Sequence, residues 1–332
     1  MKRTPLLPLC LFATATLLAP AAAATRSAEL YTSMSHGYGR VEARIRFAAG
    51  DGVVSSFFLW KDGSEVSGTF WNELDFEKLG ADCHLETNAL YGSPAAVHVQ
   101  RHTVDPLPCS EFHTYAYEWT PDAIVWSVDG VEIRRDTGAT ATAFAENAGT
   151  EGMQIRFNVW PGNASFGGNF SPSILPVHQY VDWVEYSSYA DGEFTVEWRE
   201  EFDAETVPTG WLRGSWESPK GLSLHDPGNV NVVDGYLVLS LTADDAVGPK
   251  GARPEGPDGN GGPQPPPSGG GDDGCSVSAP TTTPSTGATP CVSATASRSP
   301  NGDSTSVSRP PNWSSSLASS STESRPESIT CQ

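Results

Sequence analysis

Positive charge is scarce in this chain. Lys and Arg number 20 against 40 Asp and Glu, a formal charge of −20. A protein without a basic footprint cannot track a phosphate backbone or settle on an anionic membrane surface, so nucleic-acid and membrane partners are excluded as expectations. A neutral partner fits, and sugar polymers are neutral. Long apolar runs are lacking too: after residue 24 nothing approaches the roughly 18 apolar residues that span a bilayer. No stretch holds a helical period over three turns. No CxxC pair or His-rich cluster occurs, which leaves no ligand set for a catalytic zinc. Cysteines are few and mostly misplaced for structure. Of the 6, Cys10 lies in the first apolar run and Cys275, Cys291 and Cys331 lie near the end. That leaves Cys83 and Cys109, which in an exported protein are expected to form a disulfide staple.

Export is indicated by the first 24 residues. Lys2 and Arg3 are followed by a mostly apolar run from Leu6 to Leu18, and 21-AAAA-24 offers small residues for cleavage. A secreted, soluble monomer is expected. Composition changes again near residue 249, where 254-PEGPDGNGGPQPPPSGGGDDG-274 opens a Gly-, Pro-, Ser- and Thr-rich tail with few large apolar residues. Such a segment buries too little surface to offset its ordering entropy. The expected division is a signal over 1–24, one folded domain over 25–248 and a disordered linker and tail over 249–332.

Between residues 29 and 242 short alternating runs are broken by turn residues: 38-YGRVEARIRF-47, 53-VVSSFFLW-60, 113-HTYAYEW-119, 153-MQIRFNVW-160 and 179-QYVDWVEYS-187. The run 124-IVWSV-128, Asp129-Gly130, 131-VEIR-134 reads as a hairpin, because Asp-Gly suits a left-handed two-residue turn. Many short strands at regular spacing predict an all-β antiparallel sandwich or barrel.

Within that pattern 70-FWNELDFEKLG-80 places Glu73, Asp75 and Glu77 at every second position. On a strand residues two apart share a face, so the acids form one row while Leu74 and Phe76 enter a core. A solvated strand face is one reading of such alternation. Catalysis is the other. Glu73 and Glu77 are about 13 Å apart at Cα, and side chains leaning together bring their carboxyls to about 5–6 Å, the separation of a retaining glycosidase. One carboxylate then attacks the anomeric carbon and the other protonates the leaving oxygen. The short Asp75 shares a proton with the nucleophile, and like-charge crowding keeps the acid protonated.

Aromatic rings beside the row add weight, since a sugar ring presents an apolar C–H face to a flat partner. Trp71 is the expected platform, with Trp60 and Trp160 on strands that could flank the row. Trp119, Trp126 and Trp183, inside continuous apolar runs, are expected in the core. Glu86 and Asn88 on one strand, and Arg156 and Asn158 on another, are either sugar-hydroxyl ligands or an ordinary polar face.

The segment 73-ELDFEKLG-80 resembles the Glu-x-Asp-x-Glu signature of family 16 glycoside hydrolases. The segments 38-YGRVEARIRFAAGDGVVSSFFLW-60, 112-FHTYAYEWTPDAIVWSVDGVEIRR-135 and 155-IRFNVW-160 each look like licheninase segments in the expected order. The pieces 200-EEFDAETVPTGW-211 and 229-NVNVVDGYLVLSLT-242 resemble strands that most members carry first, yet here they come last. The order is similar to that of the circularly permuted bacterial licheninases. The resemblance covers about residues 29–245 and implies a concanavalin-like jelly roll. It also implies a 1,3-1,4-β-D-glucan 4-glucanohydrolase acting on a polysaccharide, with a β-1,3-glucanase, a xyloglucan enzyme or a non-catalytic sugar-binding sandwich as alternatives. By the resemblance Glu73 is the nucleophile, Asp75 the assisting carboxylate and Glu77 the general acid/base. Phe58, Trp60, Asp62, Glu65, Trp71, Glu86, Asn88, Arg156, Asn158 and Trp160 fall at glucan-contacting positions, and Trp211 at a cleft-shaping one. Trp60, Asp62 and Glu86 replace a tyrosine and two amides, and Phe166 a tryptophan. A structural calcium is also implied, held by Asp182 and the Gly235 carbonyl, with no cofactor needed for catalysis.

Overall fold

A computed structural model describes residues 25–252. The expected signal over 1–24 and the tail beyond residue 252 lie outside the described residues. The described part is an antiparallel β-sandwich. One layer runs in the order β14 (Trp211–Arg213), β1 (Thr25–Thr32), β11 (Gln154–Pro161), β3 (Val53–Trp60), β4 (Trp71–Leu79) and β5 (His84–Gly92). The short strands β6 (Ala95–Val97) and β7 (Gln100–His102) lie on the outer edge of β5. The other layer runs β16 (Val230–Val233), β17 (Tyr236–Ala243), β12 (Val177–Ala190), β2 (Gly39–Arg46), β8 (His113–Trp119), β9 (Ala123–Val128) and β10 (Val131–Thr137). β13 (Glu193–Glu200) shares the β12 edge with β17.

Strand β1 joins the layers: Thr25 and Arg26 pair with Ala243 and Thr242 of β17, and Arg26 and Ser27 pair in parallel with β15 (Leu224–His225). The first and last strands are therefore neighbours, which is the geometric condition for a permuted chain order. Packing reaches Ala252, which is buried beside Phe112, Tyr180, Tyr236 and Val238, so the domain extends past the expected boundary at 248.

The Asp-Gly turn forms as predicted, with Asp129 at φ 51° and Gly130 at φ 75° between β9 and β10. The core lies between the layers. Rings of Phe57, Phe76 and Phe157 stack across β3, β4 and β11, with Phe57 to Phe157 centroids 5.0 Å apart; Tyr115 and Tyr117 press on them from the other layer, and Trp126 packs on Tyr117. One element is not announced by the strand pattern: the helix α1 (Ala139–Ala148) in ATATAFAENA, with Ala141, Phe144 and Ala148 buried. Trp119 and Trp126 are core residues, but Trp183 is not. It lies half-buried with the Arg199 guanidinium 3.9 Å from its ring. The cause is a bulge at Asp182, where the β2–β12 register shifts between Val181 and Trp183 and the strand's alternation breaks.

Cys83 and Cys109 are joined as a disulfide across a sequence separation of 26. Closing a loop of that length restricts the unfolded chain by about 3.5 kcal/mol in the loop-entropy picture. The Cys83→Ser/Cys109→Ser protein should lose about that much in urea unfolding; an unchanged midpoint would show the staple to be idle.

Lys78 gives a second stability prediction. It follows Glu77 in sequence but faces the core with no exposed surface, its Nζ 3.3 Å from the Val53 carbonyl oxygen. Burial holds this amine down to about 7, from an ordinary 10.5. As pH falls, the unfolded chain takes up the proton before the folded one. The destabilising effect is absent above pH 10.5, grows as pH falls and is complete below about 7. Lys78→Met should stabilise by about 1–3 kcal/mol near neutrality, with the gain fading toward pH 10. Urea midpoints at three pH values measure it, and a gain that ignores pH would exclude charge burial as the cause.

Candidate active site

Alternation along β4 divides its side chains cleanly. Asn72, Leu74, Phe76 and Lys78 are fully buried in the core, while Glu73, Asp75 and Glu77 lie on the opposite face. The strand is fixed from beneath. The Tyr117 hydroxyl lies 2.7 Å from the Phe57 carbonyl oxygen and 3.1 Å from that of Leu74, and Trp126 Nε1 donates to the Asp75 carbonyl oxygen at 3.1 Å. Hydrogen bonds from a packed core to the backbone of this strand leave the acids little freedom to move.

Register then assembles the rest of the face. Glu73 stands between Trp60 and Leu90, Asp75 between Phe58 and Asn88, and Glu77 between Ser56 and Glu86. On β11, Gln154, Arg156 and Asn158 sit opposite Trp60, Phe58 and Ser56. Beyond them on β1, Tyr31 and Glu29 sit opposite Arg156 and Asn158. The Trp71 indole Nε1 donates to Glu73 Oε2 at 2.8 Å, and its ring meets Trp60 edge-on at 4.9 Å. Arg156 is clamped by Glu29 at 2.8 Å and by Gln154 at 3.0 Å, with its guanidinium over the rings of Tyr31 and Trp60 at 4.8 and 5.2 Å. Ser56 Oγ, Trp60 Nε1 and Asn158 Oδ1 are buried on this face without a hydrogen-bond partner. Buried polar atoms are rarely left so.

Electrostatics separate the acids. Burial pushes the Glu73 carboxyl up to about 7, while the Trp71 hydrogen bond and the Arg156 charge pull it back. Burial pushes Glu77 up further, to about 8, and the neighbouring charges of Glu73 and Glu86 add to it against the pull of Lys220. Asp75 is held well above the usual carboxylate range by burial and then by Glu73 and Glu77 on either side. Both glutamates are held above the usual carboxylate range, but their neighbours differ: Glu73 has an indole donor and a guanidinium beside it, Glu77 the charges of Glu73 and Glu86.

Other expected positions fall as follows. Trp160 is buried against Val54 and Leu79, its ring stacked on Phe166 at 5.9 Å. Asn88 Oδ1 accepts from the His98 backbone at 3.0 Å, so part of this amide props up the neighbouring segment. Asp62 and Glu65 lie exposed in the turn 61–70, off the sheet. Trp211 is a correction: it pairs with Thr32, whose parity points to the core, and its ring packs on Phe157 and Trp198 at 6.0 and 6.3 Å. Trp216, 5.5 Å from the Tyr31 ring, occupies the outer side instead. The sequence pattern singles out none of Glu29, Tyr31, Gln154, Trp216, Lys220 or His225. The alternation of β1 was the one signal available for Glu29 and Tyr31. The others arrive through loops or non-local pairing.

The implied calcium finds a poor fit. Asp182 is already paired with Arg44 at 2.8 Å, and among the described residues no group of three or more His, Cys, Asp or Glu is placed to hold a metal ion. A cation bound there would have to displace a guanidinium from Asp182. A cavity of about 450 Å³ lined by His98, Gln100, Arg134, Asp136 and Thr140 lies apart from the acidic row and offers a single carboxylate.

The sequence profile described as "Glycosyl hydrolases family 16" matches residues 12–200, more than half of the chain. The chain belongs to this family. The family 16 chain is similar to a beta-glucanase of Fibrobacter succinogenes, 37% identical over 227 residues, which are 65% of this chain and 63% of that protein. It is also similar to a beta-glucanase of Brevibacillus brevis, 34% identical over 170 residues, 49% of this chain and 60% of the relative. The family 16 chain thus spans less than two thirds of the length of either relative. Among solved structures, the Bacillus licheniformis beta-glucanase matches 50% of this chain and 78% of its own at 25% identity, with a TM-score of 0.40.

Proposed function

We propose that this family 16 chain is a secreted, retaining endo-β-glucanase that cleaves β-1,4 links in mixed-linkage β-1,3-1,4-glucan. The observation that carries the reading is the row itself: two glutamates and an aspartate in register on one face, mostly withdrawn from water, with Glu77 protonated to about pH 8 and Glu73 supported by Trp71. A wet strand face would need neither the burial nor the supporting indole. Both relatives named above are called beta-glucanases, which supports the substrate class.

In the first step Glu73 Oε1, the oxygen not held by Trp71, attacks the anomeric carbon. The bond from that carbon to the leaving O4 breaks, and Glu77 gives O4 its proton. The sugar is then esterified to Glu73. In the second step Glu77 takes a proton from water, the water oxygen attacks the same carbon, and the Glu73 carboxylate leaves. Two inversions give net retention. Asp75 shares its proton with Glu73 and moderates the charge there. Trp60, Trp71 and Tyr31 offer flat faces to sugar rings, and Arg156, Asn158 and Ser56 offer polar atoms to hydroxyls.

Reducing-end release by the full chain on barley mixed-linkage glucan, laminarin, xyloglucan and carboxymethylcellulose tests this. Cleavage of the barley glucan alone is expected. Cleavage of another polymer would keep the row's chemistry and discard the linkage preference. Sugar binding with no cleavage of any would discard the enzymatic reading in favour of a binding sandwich.

A further inference from the structure

Glu86 stands directly across the ladder from Glu77, and like charges at directly opposed positions destabilise a sheet unless something compensates them. A neighbouring histidine holds one of the pair. His84, two residues along β5 on the same face, sets Nε2 3.1 Å from Glu86 Oε1 and Nδ1 3.0 Å from Asp82 Oδ1. His84 thus bridges the Asp82 and Glu86 carboxylates through its two ring nitrogens. The second Asp82 oxygen accepts from Arg101 Nη2 at 2.7 Å, and Arg101 itself lies opposite Glu86 in the β5–β7 ladder. The chain Arg101, Asp82, His84, Glu86 is linked contact by contact and ends across the ladder from Glu77. Asp82 is 64% and Arg101 57% exposed, whereas Glu86 is 20% exposed.

We propose that Glu86 is a positioning residue that acts through Glu77: fixed by His84 directly across the ladder from Glu77, it helps Glu77 keep the proton that the leaving oxygen needs. This rests on reading Glu77 as the general acid/base. It gives Glu86 a task distinct from binding a sugar hydroxyl, the role its position in the sequence suggested. The charged groups around Glu77 are Glu73 and Asp75 on its own strand, Glu86 on β5, and Lys220 from the loop before β15. Glu86 and Glu73 work with burial to retain the proton, while Lys220 works against them. Removing the Glu86 charge alone leaves burial, Glu73 and Lys220 in place.

The test is a ¹³C-carboxyl titration of the full chain, with the Glu77 signal identified by its loss in Glu77→Gln. In Glu86→Gln the Glu77 midpoint should fall by about one pH unit, while Glu86→Asp, which keeps the charge, should hold it near the original value. The alkaline limb of kcat/KM on mixed-linkage glucan should move with the midpoint. A Glu77 midpoint unmoved in Glu86→Gln overturns the proposal, as does an equal shift in Glu86→Asp, which would trace the effect to lost contact instead of charge. A raised KM with an unmoved limb also overturns it and returns Glu86 to sugar binding. Should the full chain cleave no glucan, the enzymatic reading fails separately, and the titration still decides whether Glu86 controls Glu77.

Discussion

Glu73→Gln should abolish glucan hydrolysis, on the order of a thousandfold or more in kcat, because an amide cannot form the glycosyl ester through which the reaction is divided. The isosteric change keeps the Trp71 contact, so the fold and sugar binding should persist. Glu77→Gln should cost about 10²–10⁴-fold, the usual worth of a general acid, and least on substrates whose leaving group departs without a proton. The two roles separate by rescue. With Glu73→Ala, added azide occupies the vacated space and yields the sugar azide of inverted configuration. With Glu77→Ala, azide intercepts the ester on Glu73 and yields the retained one. The opposite assignment of anomers would exchange the roles of Glu73 and Glu77. Activity surviving in Glu73→Gln would remove the row from the mechanism.

Arg156→Met should destabilise the fold by about 3–5 kcal/mol, because it leaves a buried carboxylate without its partner. Glu29 and Arg156 are 5% and 10% exposed at the side chain and meet at 2.8 Å, and His225, itself buried, stands 3.4 Å from the other Glu29 oxygen. Burial lowers the proton affinity of His225, so it is a poor substitute cation for Glu29. The double substitution Glu29→Gln/Arg156→Met should recover most of the loss, since the penalty lies in the orphaned charge and not in the absence of the pair. Urea unfolding of the two single variants and the double completes the cycle. Additive losses would mean that the two side chains contribute separately. Arg156→Met should also slow hydrolysis, because its charge helps Glu73 to ionise and its guanidinium backs the Trp60 ring.

Much of this protein was legible before any coordinates. Strand alternation in 73-ELDFE-77 is enough to put the acids on one face and Leu74 and Phe76 in a core, because the two-residue period of a strand is a property of the backbone. The hairpin at Asp129-Gly130 follows from two residues that tolerate positive φ. The exported-pair reading of Cys83 and Cys109 needed only compartment and count.

What failed did so for non-local reasons. Trp211 was placed by resemblance at the cleft, but its pairing with Thr32 turns it to the core and leaves the outer side to Trp216. Trp183 sits in an apolar run, yet one bulge residue ahead of it moves it out of the core.

The sequence by itself determined the class of fold and the row of acids on one strand face, because these depend on residue type and local period. The tertiary structure alone decided how the surroundings of the two glutamates differ. That depends on Trp71 and Arg156 beside Glu73 and on Glu86 beside Glu77. Arg156 and Glu86 are brought there by strand pairing, and burial by the whole sandwich sets the scale on which their charges act.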